Sequence, residues 1–414
     1  MKLQKYSIGT GDRFGQQGKA LLKAIIKAQQ AGIDIAIVWN KSHREHIITK
    51  SSPNDVLREA KNAVRELGWK GNYYIDADHI GLSNVDLFVD SCNFFTIDVA
   101  DFIGRKATDT QINTFIKKYG KYSGRLSIPH IKEPLNITKI NLKKIAEMYL
   151  LAIKEATKIY HRIEEQKGKG NFIVEISMDE SELPQTPIEV LFILIIIADE
   201  NIPIQTFAPR FSGKFYKGID YIGDIDQFAK EFELLLAIIQ FSIKEFSLPD
   251  NLKLSIHSGS DKFAIYPAIN NLIKKFDKGI HLKTSGTTWL EEIIGLAMAG
   301  ADGLKMVKEI YSKAYKRFDE LCVPYEKVIN INKDKLIKPK IVNNWTNEKF
   351  VKTLRHDLSC NDYNPHFRQL FHIAYKIAAE MDSRYLKVLN KYKRLIEKCV
   401  TNNIYEKHLK KLFL

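Results

Sequence analysis

Short apolar runs alternate with helical patterns along most of this chain, and that alternation restricts the fold more than any other feature. Residues 18–30 carry apolar side chains at helical spacing, 33–39 form an apolar run of strand length, and 53–67 are helical again. Residues 72–78 and 94–99 read as strands on either side of a helix at 84–92. After Gly168 and Gly170 the order is strand 172–177, helix 187–199, strand 203–207, helix 225–246, strand 253–257, helix 264–276, strand 281–283 and helix 289–298. Strands and helices in strict succession bury both faces of a parallel sheet. The expected fold is an α/β, TIM-like (β/α)8 barrel over residues 1–300, with a doubly wound open sheet as the alternative. A polar insertion near 105–140 interrupts it, and residues 301–414 read as a helical, basic extension packed on the barrel.

The formal net charge is +14, which invites a nucleic-acid partner. Much of the excess lies at Lys387, Lys391, Lys393, Arg394, Lys398, Lys407, Lys410 and Lys411, spaced as on a solvated helix face, and no nucleic-acid-binding motif accompanies it. A basic nucleic-acid-binding protein is therefore the weaker reading, and no nucleic-acid partner is expected. The four cysteines, Cys92, Cys322, Cys360 and Cys399, lack paired spacing and read as reduced thiols. The apolar run 190–198 is too short to span a bilayer, and Met1-Lys2-Leu3-Gln4-Lys5 carries no signal-peptide core. The expectation is a cytoplasmic chain without a membrane partner; homo-oligomerisation is left open.

Polar residues gather where the strands end, the place at which barrels assemble active sites. Asp76-Ala77-Asp78-His79 closes one strand, and the two-residue period puts Asp76 and Asp78 on one face. Glu175 sits inside an apolar strand, where an ionised group is costly unless a cation or metal uses it. Ala208-Pro209-Arg210-Phe211-Ser212-Gly213-Lys214 offers two cations suited to an anionic group. His257-Ser258-Gly259-Ser260-Asp261-Lys262 places an imidazole before a Gly turn. Imidazoles and carboxylates on several strand ends fit a divalent cation with open positions. Arg368 and His372 share a helix face near the barrel mouth. Lys283-Thr284-Ser285-Gly286-Thr287-Thr288 reads as a capped turn between strand and helix.

Together with Gly9-Thr10-Gly11-Asp12-Arg13-Phe14-Gly15 and Thr284-Ser285-Gly286-Thr287-Thr288-Trp289-Leu290-Glu291, these motifs resemble those of the tagaturonate/fructuronate epimerases, in the same order and over nearly the whole chain. The resemblance implies a metal-dependent isomerase that interconverts D-tagaturonate and D-fructuronate, ketohexuronates of hexuronate catabolism differing at C4. It implies a divalent cation, with His79, Glu175, His257 and His372 as candidate ligands. Asp78, Asp76 and Glu175 are the candidate acid/base groups. Gln205, Arg210, Lys214, Ser258, Asp261, Lys262 and Arg368 are candidates for holding the sugar acid. A metal-dependent ketose isomerase or aldolase on the same barrel remains the alternative, as does the choice between retro-aldol cleavage and carbonyl migration.

Overall fold

The computed structural model describes residues Met1–Leu414. Its strands are β1 (Tyr6–Thr10), β2 (Ile35–Ser42), β3 (Tyr73–Ile80), β4 (Phe94–Asp98), β5 (Gly124–Leu126), β6 (Leu135–Ile137), β7 (Ile173–Ser177), β8 (Thr206–Ala208), β9 (Lys253–His257) and β10 (Ile280–Lys283). All but β5 and β6 close into one parallel barrel in the order β1-β10-β9-β8-β7-β4-β3-β2. The open-sheet alternative is excluded. The helices between them are α1 (Gly18–Gln30), α2 (His43–Thr49), α3 (Pro53–Leu67), α4 (Asp109–Tyr119), α5 (Lys139–Lys167), α6 (Pro187–Asp199), α7 (Ile225–Glu245), α8 (Tyr266–Lys275) and α9 (Thr287–Met298).

Local chemistry starts these helices where the sequence suggests. Thr186 accepts from the Glu189 amide while Pro187 opens α6, and Ser52 with Asp55 frames α3, which ends at left-handed Gly68. Residues 105–140 hold α4 and the small antiparallel β5–β6 hairpin. The helix expected at 84–92 is a single 3-10 turn, Val85–Leu87, followed by turns. β1 was not anticipated as a strand.

Alternation along the strands sorts the barrel interior into layers. Leu3, Ala36, Val38, Tyr74, Phe94 and Ile173 form an apolar cluster of their own, separate from the large core between barrel and helices. Two residues further along the strands the inward positions become polar: Asp76, Thr96, Glu175, Ser255 and His281, all buried. The apolar layer seals the end from which the strands start, so the only open end is the one where they finish.

Beyond α9 the chain is helical, beginning with α10 (Ala301–Lys316) and including helices Pro365–Ile373 and Lys393–Asn402. α9 is buried from Thr287 to Ala297 because α10 and helix Lys393–Asn402 pack on the face turned away from the barrel. No helix is long and apolar enough to cross a membrane.

Candidate active site

One buried lysine organises the polar layer. Lys283, the last residue of β10, places Nζ 2.9 Å from both Asp76 Oδ2 and Asp78 Oδ1, 3.3 Å from Glu175 Oε1 and 2.7 Å from Thr96 Oγ1. Burial alone would lower its pKa, but the three carboxylates outweigh burial and raise it well above the ordinary lysine value. The carboxylates part company in response. Burial pushes Asp76 up to about 6 despite Lys283, whereas at Asp78 the pull of Lys283 and His79 overcomes burial and holds it at about 2.

Above this cluster lie two imidazoles and a carboxylate. His79, Asp179 and His257 each offer a ligand atom within 4.8 Å of the other two. Each ring is gripped from behind by a different carboxylate. His79 Nδ1 donates to Asp98 Oδ2 at 3.0 Å, and His257 Nε2 donates to Glu175 Oε1 at 2.7 Å. That leaves His79 Nε2 and His257 Nδ1 for a ligand, and buried His257 Nδ1 has no hydrogen bond although Asp179 Oδ2 is 3.2 Å away. Carboxylate-oriented imidazoles are how metal ligands are fixed in tautomer and direction. The Asp179–His257 pairing also lifts His257 to about 9 against the effect of burial.

His79 reaches this position through backbone strain. Pairing of β3 with β4 slips between Ala77 and Ile80, and His79 takes φ +54°, a conformation rare for a residue with a Cβ. The bulge turns into the cavity a side chain that strict alternation would have placed against the helices.

The cavity has a volume of about 890 Å³ and its lining includes Asp78, His79, Asp179, His257, Lys283 and His372. Its upper wall carries Arg13, Arg44, Arg210, Lys214, Lys217 and Lys327 interspersed with Glu45, Glu180, Glu182 and Glu326. Arg210 Nη1 donates to the Asp179 carbonyl at 2.8 Å, steadying the segment that presents the carboxylate. His372 presses its ring against Gly286, and both ring nitrogens lack partners. It stands apart from the ligand group.

The structure brings Asp78, His79, His257, Arg210, Lys214 and His372 to one cavity, with Asp76 and Glu175 directly beneath. The other sequence candidates lie elsewhere. Gln205 is at the sealed end, where Oε1 accepts from Leu3 N at 2.8 Å and from Asn251 Nδ2 at 2.6 Å. Ser258 Oγ donates to the Lys283 carbonyl, and Lys262 Nζ is enclosed by the Tyr216 and Ile219 carbonyls. Asp261 and Arg368 pair at 2.7 Å, both fully buried, while Arg368 also donates to the Gly218 and Leu354 carbonyls. These side chains are committed to the fold and do not line the cavity.

Sequence reasoning passed over Asp98, Asp179 and Lys283. Asp179 falls two residues beyond β7, so no strand period announces it. Lys283 did carry a signal, since it is an ionised group in an apolar strand, as Glu175 is, and only its reading as part of a capped turn hid it.

A parallel barrel with buried ionisable groups and a His–Asp–His group that could hold a cation at the strand ends defines a protein of the TIM-barrel type. Residues 1–412 match the family model described as tagaturonate epimerase, and the chain belongs to that family of isomerases. It is 27% identical over 412 residues to the tagaturonate/fructuronate epimerase of Thermotoga maritima, covering 96% of this chain and 79% of the relative. The native crystal structure of a fructuronate-tagaturonate epimerase from Cohnella laeviribosi superposes with a TM-score of 0.80 at 24% identity, covering 100% of this chain and 82% of that one.

Proposed function

We propose that this chain is a divalent-metal-dependent epimerase that inverts C4 of a ketohexuronate, interconverting D-tagaturonate and D-fructuronate in the cytoplasm, where its four free cysteines stay reduced. The observation that carries the reading is the convergence of His79, Asp179 and His257 beside the Asp78–Lys283 pair, in a member of the tagaturonate epimerase family. Two imidazoles and one carboxylate, with an orphaned Nδ1 aimed among them, suit a divalent cation with open coordination positions. Such an ion supplies Lewis acidity to substrate oxygens.

C4 is β to the C2 ketone, so its hydrogen is not acidified by that carbonyl and direct deprotonation is unfavourable. Retro-aldol cleavage avoids the difficulty. The C4 hydroxyl loses its proton, the C3–C4 bond breaks toward the ketone to give an enediolate and an aldehyde, and the aldehyde turns its other face before the bond re-forms. Asp78 is the proton acceptor of the proposal, because it is ionised and lines the cavity. Lys283 weakens it as a base. A developing oxyanion that draws the Lys283 ammonium away from Asp78 restores that basicity, so the pair links proton removal to charge stabilisation. Asp76, Glu175 and Asp98 hold Lys283, His257 and His79 in place.

The test is incubation of chelator-stripped and metal-restored protein with D-tagaturonate, followed by NMR. Fructuronate formed only after metal is restored supports the reading. Accumulated three-carbon fragments would shift it to an aldolase, and an aldose product to a ketose isomerase.

A further inference from the structure

Among the cations of the cavity wall, Lys214, Lys217 and Lys327 make no side-chain hydrogen bond or ion pair with a partner, and of these only Lys217 is partly buried. Arg13 Nε is paired with Glu45 at 3.0 Å, and Arg210 Nη1 and Arg44 Nη1 each donate to a backbone carbonyl. Lys214 is exposed at the rim. Lys217 lines the cavity and is half-buried, yet its Nζ makes neither a hydrogen bond nor an ion pair with the protein. Glu180 and Glu45 act on it only at a distance, and a half-buried ammonium with no directly bonded partner is unfavourable. We propose that Lys217 receives the substrate's carboxylate, with Arg44 closing over the same anion, and so sets the preference for uronates over neutral ketoses.

The surroundings support this placement. Lys217 Nζ stands 4.0 Å from the point a Cβ on Gly259 would occupy, and Gly259 is two residues beyond the ligand histidine His257. The ammonium therefore lies beside the reacting end of the cavity. Tyr325 presents its ring to both cations, with Arg44 Cζ 4.7 Å and Lys217 Nζ 6.0 Å from the centroid. The tyrosine is anchored from behind by its hydroxyl, 2.9 Å from that of Tyr375, so the aromatic wall is fixed. Two cations gathered on one fixed ring concentrate positive charge at this wall. Burial, reinforced by Arg44 and Arg13, pulls the Lys217 pKa down against the opposing pull of Glu180 and Glu45, and a bound carboxylate would add to that opposition.

The inference rests on the epimerase reading, so its test measures binding as well as turnover. Wild type, K217M and K217R are titrated calorimetrically, metal-loaded, with D-tagaturonate and with the neutral ketohexose D-tagatose, and KM is measured for tagaturonate. The expected result is an affinity loss of about 10- to 100-fold for tagaturonate in K217M, the scale of a charge-assisted hydrogen bond. KM rises by more than kcat falls, K217R recovers part of the loss, and tagatose binding and metal content match wild type. Equal losses for both sugars, or unchanged tagaturonate affinity, would overturn the assignment. Wild-type protein that binds tagaturonate without epimerising it would instead refute the epimerase reading, and the calorimetric contrast would still decide the role of Lys217.

Discussion

Replacing Lys283 with Met removes the only lysine or arginine that serves Asp76, Asp78 and Glu175 and tests whether the site is built around it. The ammonium is within 3.3 Å of all three carboxylates and buried to 3% exposure, so the variant strands ionised groups where water cannot compensate. Breaking one buried pair by removing a partner destabilises by roughly 3–5 kcal/mol. For a chain of 414 residues the unfolding entropy is roughly 0.9 kcal/mol per kelvin, so the thermal midpoint should fall by about 3–6 °C. The pH dependence gives the sharper signature. In wild type Asp78 is depressed to about 2, so its contribution is present above the unfolded value near 3.9 and is lost only as pH falls through 2. Without Lys283 the same carboxylates shift upward, so their stability is greatest in acid and is lost as pH rises through the new values. Midpoints from scanning fluorimetry should therefore show a larger K283M deficit at pH 8 than at pH 5. A deficit equal at both values, or no deficit at pH 8, would refute the electrostatic argument.

Other outcomes follow from single contacts. D179N should lower bound metal at least tenfold, read by elemental analysis, while a nearly unchanged thermal midpoint shows the barrel intact. G286A adds a methyl where the His372 ring and the Gly259 carbonyl already lie, so turnover should drop more than tenfold with little change in metal content. Burial lifts Glu291 to about 7, so the native protein prefers it protonated; that stability is full below about 4.5 and lost as pH rises through 7. E291Q should remove it from the pH profile, gaining up to about 3 kcal/mol on wild type at pH 8 in urea titrations.

The barrel was legible because apolar strands and amphipathic helices keep different periods over many residues. β1 escaped because Ser7 and Gly9 occupy alternate positions in a five-residue strand, leaving too little apolar pattern to read. The helix expected at 84–92 failed for a related reason: Phe88, Val89 and Cys92 are buried by tertiary packing on turns, which mimics helical spacing. At the site, Asp76, Asp78, Glu175 and His257 announced themselves as ionisable groups closing or interrupting apolar strands. Their division of labour was not readable. Whether Glu175 faces a ligand position or the back of His257 depends on which ring nitrogen it meets, and that is decided across the barrel. Asp261, Lys262 and Arg368 looked like substrate groups because burial cannot be inferred for charged residues in a Gly-rich loop or on a helix.

Asp261 illustrates how far apart in time this protein's parts are completed. One carboxylate oxygen takes Thr287 at 3.0 Å and His408 at 3.2 Å, and the other takes Arg368 at 2.7 Å and His356 at 3.3 Å, so both oxygens are doubly engaged. His408 follows Asp261 by 147 residues. At roughly 5–20 residues per second of synthesis, the loop behind His257 waits on the order of 7–30 s for its last partner. For most of that interval, once β10 has been made, the barrel strands can already be paired while the loop after His257 is not yet pinned. The nascent enzyme should therefore acquire its shape before it acquires its competence, and a ribosome paused before residue 408 should display a closed barrel that binds metal weakly.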